Sequence, residues 1–460
     1  MRKHWWSRRP SWRPARPPDV SSGVQGLVVI ETEQGVFERP MSGPERIPGG
    51  LDPGVAAELS VRHIGAGWGL PDFVFAPGEH QTSSGRREVS DGIILCGPYG
   101  VVLQTKCRTS PGDNVDRERT WIETAARDAT RQASGTLRTL RSSPKTMTSL
   151  RGVPYEILAD RYQWLCVIII DHDNPPDEPI ANSTSKDPAI VLLKSDWDFL
   201  FNHLRSTFAV VRYLRYVVQL EGVALGSEWV RFGQIAYMSS LEPESTVDPR
   251  LLMKGAVKYH APILSLTPAM EDDASAQAFY RMLLDEVAVT MLSDPELAGE
   301  PRLVVLAHLD ALPVSMRSTV ARFLLDSITE VSKDVGGGVK WLTRTIRGTA
   351  DGTQLLFGAC SSQFDGFNVY LRNWVVVRHH DLREDAGAEN CETTLALVLT
   401  PCINGRRPWE ITICSVAGDV ELDPVGAQAT RDRLAMTRSV VPRRAAAKAA
   451  RRHRRSRRRE

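Results

Sequence analysis

Apolar positions along the chain change their period several times, and each change marks an element. Over residues 54–64 they recur at helical spacing, and Gly65, Gly67 and Gly69 then lead to a short strand at 72–75. After the polar loop PGEHQTSSGRR come two strand-like runs, 88–96 and 101–107. Gly97-Pro98-Tyr99-Gly100 joins them, a turn sequence suited to a hairpin. Residues 117–141 read as a helix. The run WLCVIII at 164–170 is apolar throughout, as a strand buried on both faces is. The predicted order over residues 50–171 is α-β-β-β-α-β, an α/β domain on a mixed central sheet.

A polar, Pro-rich loop at 171–188 opens the next segment, 172–267. There Ser195-Asp196-Trp197-Asp198 looks like a capping-box variant that starts a long helix to about Leu220. From about Pro268 to 425 an α+β domain is predicted, with helices near 271–293 and 314–333 and a break at Gly336-Gly337-Gly338. Its strands are expected near 340–347, 353–359, 373–379, 393–400 and 409–416. No repeat of fixed period is found.

Composition fits this division. With 460 residues, 42% hydrophobic and 24% charged, the chain has room for two or three domains that fold without staples. Seven scattered cysteines, none spaced as CxxC, argue against a disulfide framework or a zinc ribbon and predict reduced thiols in a cytoplasmic protein. No run approaches the ~20 apolar residues of a membrane span. The Arg8-Arg9 pair lacks the apolar core of a secretory signal, so neither membrane insertion nor export is expected. The net charge of +2 conceals a strong asymmetry. Residues 1–20 hold six Lys/Arg against one acid, and 443–460 hold ten against one, which leaves a body of net −12. Both ends are predicted to be disordered. The second, which includes Arg451 and Arg454, can hold a polyanion without reading its sequence. The alternative is an incidental solvated extension.

The candidate chemistry lies in the two central strands. Alternation puts Gln104 and Lys106 on one face, and hairpin pairing brings Asp91 to the same end of the sheet. Polar groups among Ile93, Ile94, Leu95, Val101, Val102 and Leu103 need partners or an open edge. The pattern Asp91-x12-Gln104-x-Lys106, across strand-turn-strand and before a helix, resembles the PD-(D/E)xK (restriction-endonuclease-like) nuclease superfamily. It is most similar to the Mrr-like branch with Gln in the middle position. The resemblance covers about 120 of the 460 residues. It implies a Mg²⁺ or Mn²⁺ ion held by Asp91, the Gln104 side-chain oxygen and the Thr105 backbone carbonyl. It also implies that Lys106 orients the attacking water and offsets developing charge. Gln removes one negative charge relative to Glu, and Ser90 stands where the superfamily's name has proline. A second carboxylate would restore that charge. Glu58 on the preceding helix and Glu88 are the candidates, although Glu88 falls on the opposite strand face unless a bulge intervenes. For each, the alternative is a solvated acid.

Other features weigh less. Arg127, Arg131, Arg138 and Arg141 lie within about 80° on the 117–141 helix. Such a stripe can track a phosphate backbone, but a solvated face opposite the apolar one is preferred. His308-Leu309-Asp310 and His379-His380-Asp381 lack a nucleophile or third ligand at an interpretable spacing. The triple glycine lacks the following Lys-Ser/Thr of a phosphate loop. Trp197, Phe199, Phe208 and Tyr213 fit a buried helix face, and Cys107 a core-facing strand position. The function that follows from the resemblance is metal-dependent hydrolysis of DNA in defence or repair, with RNA left open. The second half would then bind substrate or a protein partner. The alternative is a nuclease fold without catalysis, used for nucleic-acid binding or assembly.

Overall fold

The apolar run around Trp164 is the strand on which the first sheet is built, and the helices on either face follow from it. The computed structural model describes residues 13–14, 24–32, 35–43, 46–76, 79–82, 85–88, 90–184, 186–241, 269–290, 300–333, 339–346, 352–363, 366–384, 392–402, 407–420 and 422–437. The protein is mixed α/β. Its internal contacts divide it into two units, 1–322 with 349–351, and 323–348 with 352–460.

The first unit begins with β1 (Arg13–Pro14), β2 (Val24–Thr32) and β3 (Gly35–Ser42), an antiparallel sheet. Next is α1 (Pro53–Gly67), capped by the Asp52 carboxylate, which accepts from the Gly54 and Val55 amides at 2.8 and 3.4 Å. Then come β4 (Val74–Phe75), the hairpin β5 (Glu79–Thr82) and β6 (Gly85–Glu88), and the central pair β7 (Gly92–Cys96) and β8 (Tyr99–Cys107). The run at 88–96, expected as one strand, is therefore two, with the joint at Ser90-Asp91.

α2 (Val115–Ser142) crosses over to the hairpin β9 (Lys145–Thr148) and β10 (Pro154–Ile157), then β11 (Gln163–Asp171) and β12 (Ala189–Leu193). The central sheet has the order β12-β11-β8-β7-β4. β7 runs antiparallel to both its neighbours, and β11 runs parallel to both of its own. A parallel neighbour requires a crossover, which α2 supplies. Its buried side includes Ala126, Ala129, Ala133 and Thr136, small residues that allow close packing.

Six helices follow: α3 (Lys194–Leu204), α4 (Thr207–Val217), α5 (Glu228–Leu241), α6 (Ala274–Val289), α7 (Glu300–Asp310) and α8 (Val314–Val331). The single helix expected to reach Leu220 is broken at Arg205, whose φ is 49°, and Ser206. The cause lies far along the chain. Buried Asp310 accepts from Ser206 Oγ at 3.1 Å, the Phe208 amide at 2.8 Å and Arg317 Nη2 at 2.8 Å, fixing a new helix start there. The first of these helices is capped by Asp196, which accepts from the Leu193 amide at 3.1 Å and from Gly226 at 2.8 Å. No single helix among the described residues is long and apolar enough to cross a membrane.

The second unit takes the end of α8, then β13 (Trp341–Ile346), β14 (Gln354–Cys360), α9 (Phe367–Glu384), β15 (Thr393–Pro401), β16 (Trp409–Ala417) and α10 (Pro424–Thr437). Its strands keep chain order, and only β14 and β15 are parallel, across α9. Residues 373–379, expected as a strand, lie inside α9. The β-branched run is overridden by a helical stripe: Phe367, Leu371, Trp374, Val375 and Leu382 are buried at spacings of three, four and seven. Segment 269–310, expected with the C-terminal domain, lies in the first unit. The triple glycine is outside the described residues.

In β8, Gly100 lies beneath the Trp164 ring, and a Cβ there would come within 2.6 Å of it. Trp164 Nε1 donates to the Ala159 carbonyl at 2.8 Å, so the ring is not free to move aside. Gly100→Ala is expected to cost about 1–3 kcal/mol, measured as a lower denaturant midpoint at unchanged m-value.

Candidate functional site

The hairpin register pairs Gly92 with Leu103, which puts Asp91 level with Gln104, one step past the end of the ladder. There the side chain of Asp91 takes over from the backbone: Oδ2 accepts from the Thr105 amide at 2.6 Å. The N–H and C=O of a strand residue point to the same neighbour, so the Thr105 carbonyl faces the side on which β7 has ended. Asp91 is thus bonded to the residue between Gln104 and Lys106. Gln104 is buried on the α2 face, and Lys106, on the same face, reaches out to donate from Nζ to Gln132 Oε1 of α2 at 2.8 Å. Asp91 and Gln104 therefore stand level at one end of the sheet, while the Lys106 side chain extends to α2.

The flanks of the site come from α1. Arg62, buried against Gly92, donates from Nη1 to the Asp91 carbonyl at 2.7 Å. Glu58 lies four residues earlier, about 6 Å along the axis. α1 passes Gly92 at Arg62 and Ile94 at Gly65, and Gly92 and Ile94 pair with Leu103 and Val101, so Glu58 is on the Thr105 side of Arg62. Glu88 ends β6, opposite Glu79 in that hairpin, and its side chain is outside the described residues. No group of three or more His, Cys, Asp or Glu placed to hold a metal occurs among the described residues. The donors present are a carboxylate, an amide oxygen and a peptide carbonyl, with Glu58 one turn from Arg62. These are hard oxygen ligands of the kind Mg²⁺ takes together with several waters.

Beyond Lys106, the strand ends are locked by a cluster that local patterns did not reveal. Glu118 of α2 is buried and accepts from Arg108 Nε and Nη2, each at 2.9 Å, from the Gly112 amide at 3.0 Å and from His172 Nε2 at 3.2 Å. Since His172 Nδ1 accepts from the Asn174 amide at 3.1 Å, the ring proton is on Nε2, facing the carboxylate. The Arg108 guanidinium, above all, holds the Glu118 carboxyl down at about 2. Arg108 also lies over the Trp121 ring at 5.2 Å.

The arginine stripe is only partly available. Arg141 is paired with Asp187 at 2.7 Å and Arg131 with Asp128 at 3.3 Å, whereas Arg127 and Arg138 have no carboxylate partner among the described residues. Arg451 and Arg454 are outside the described residues. A cavity of about 470 Å³ between α2, residues 176–183 and β12 is lined by Ile122, Ala126, Pro179 and Val191, and by none of the triplet. His379 is buried and bonded on both nitrogens, to Thr394 Oγ1 and the Gly418 carbonyl, each at 2.9 Å. Sequence reasoning missed Arg62 and Gln132, since each acts through a partner on another element. Comparison of the chain with protein-family models, curated proteins and solved structures gives no match.

Asp91→Ala would leave the Thr105 amide without its acceptor, at an expected cost of about 1–3 kcal/mol in urea unfolding. Glu118 gives a pH signature. Its folded value lies below its ordinary 4.5, so its contribution is full above that pH and is lost as pH falls toward about 2. The thermal midpoint of Glu118→Gln is expected to be lower at neutral pH and to fall less steeply over that acid window.

Proposed function

We propose that the first unit is a metal-dependent nuclease with a restriction-endonuclease-like fold, hydrolysing DNA phosphodiester bonds. One observation carries this reading: the Asp91 carboxylate bonded to Thr105, between Gln104 and Lys106, at the open end of the central sheet. The core order α1, β4, β7, β8, α2, β11, with two hairpins inserted, supports it as the α-β-β-β-α-β order of the PD-(D/E)xK superfamily. A bound Mg²⁺ or Mn²⁺ would generate hydroxide near neutral pH and neutralise phosphoryl charge. Asp91, with Glu58 or Glu88, supplies the negative charge that attracts such an ion. Gln104 and the Thr105 carbonyl supply neutral oxygens. The Lys106 ammonium orients the attacking water and offsets charge on the phosphoryl oxygens.

Arg127, Arg138 and the basic tail with Arg451 and Arg454 offer phosphate contacts that the acidic body does not. The six described cysteines are free, which suits a reducing cytoplasm, and defence or repair is the setting in which a DNA nuclease acts there. The second unit is left as the surface for a protein partner. A second reading, a nuclease fold retained for binding or assembly, draws on Arg62. That residue brings a fixed cation to Asp91 beside a neutral Gln104, so the site is poorer in negative charge than one with two carboxylates.

Supercoiled plasmid incubated with the full chain and Mg²⁺ or Mn²⁺ is expected to be nicked. Asp91→Ala and Lys106→Ala should each slow nicking by about 10²-fold or more. Equal nicking by wild type and variants would refute the assigned site. No nicking, with DNA binding that weakens as salt rises, would favour the second reading.

A further inference from the structure

Lys106 and Gln132 meet across two elements that are fixed relative to each other. Ala129 and Ala133, on either side of Gln132, are fully buried, so this turn of α2 is held against the sheet. An ammonium has donors only, so the Gln132 oxygen must be the atom that faces Lys106 Nζ at 2.8 Å. The orientation of the amide follows. Its Nε2, with two N–H donors, is directed elsewhere, and no acceptor takes them among the described residues. The side chain of Gln132 is exposed, so those donors face solvent beside the ammonium.

We propose that Gln132 is a fourth residue of the site, holding Lys106 in place through its oxygen and donating from Nε2 to a phosphoryl oxygen of the substrate. The inference rests on the phosphodiesterase reading above. Two adjacent donor groups, one charged and one neutral, match an anion that offers several oxygens in a small volume, as a phosphodiester does. Two variants separate the two roles. Gln132→Leu removes both the acceptor and the donors. Gln132→Glu keeps an acceptor for Lys106, loses the donors and adds a charge that repels phosphate.

The test follows acylation of Lys106 by an N-hydroxysuccinimide ester, measured by mass spectrometry, together with cleavage of a short DNA duplex by the full chain. In Gln132→Leu, Lys106 is expected to acylate faster than in wild type, and kcat to fall about tenfold. In Gln132→Glu, acylation is expected to be slower than in wild type, because a carboxylate beside Lys106 favours the unreactive ammonium, while KM rises about tenfold. Unchanged acylation in the Leu variant overturns the positioning role, and an unchanged KM in the Glu variant overturns the phosphate contact. If wild type neither cleaves nor binds the duplex, the nuclease reading fails and the substrate contact with it. The acylation rates would still report whether Gln132 holds Lys106.

Discussion

The central strand of the first sheet is longer than its antiparallel neighbour, and much of the site follows from that mismatch. β8 has nine residues and β7 has five, and their ladder stops at Leu103. From Gln104 to Cys107, only β11 continues beside β8. Backbone polar groups in so apolar a setting must find partners, and a side chain has to supply what β7 no longer does. Asp91 does this for the Thr105 amide. The same shortfall leaves the β7 side of Thr105 without a backbone neighbour, so one constraint explains both the structural use of Asp91 and the gathering of polar groups at this end of the sheet.

A second feature is the way buried charges tie remote segments together. Arg151 bonds Asp72 at 2.7 Å and Asp285 at 2.6 Å, and Asp285 pairs with Arg281 at 2.8 Å. Asp196 bonds the start of α3 to Gly226 and Glu228, and burial raises its carboxyl pKa. Such groups contribute little net stability compared with apolar replacements, but removing one partner strands the other in a poorly solvating interior. They make particular arrangements of the helices around the sheet costly to alter.

The parts legible in the sequence are those fixed by short-range pattern. α1, the β7–β8 turn, α2 and β11 all lie where period and turn residues placed them, within a few positions. The placement of Asp91 level with Gln104 also followed from alternation and a short turn. What was not legible depends on distant partners. Nothing near Ser206 announces that Asp310 will end one helix and start another. The valines at 375–377 favour a strand locally, and only the stripe from Phe367 to Leu382 outweighs them. Arg62 and Gln132 carry no motif, because their part is defined by what lies across from them.

The bonds made by Asp310 also bear on when this unit can finish folding. Residues 50–171 contain the whole central sheet except β12, yet Ser206 and Phe208 wait for a carboxylate 104 and 102 positions later. Asp310 in turn is paired with Arg317. On a ribosome adding about 5–20 residues per second, about 7–29 s separate the emergence of β11 from that of Arg317. During that interval the sheet edge that carries Lys106 exists without its full set of supporting helices. The nascent chain is then at its most exposed to chaperones and proteases, well before its second unit has been synthesised.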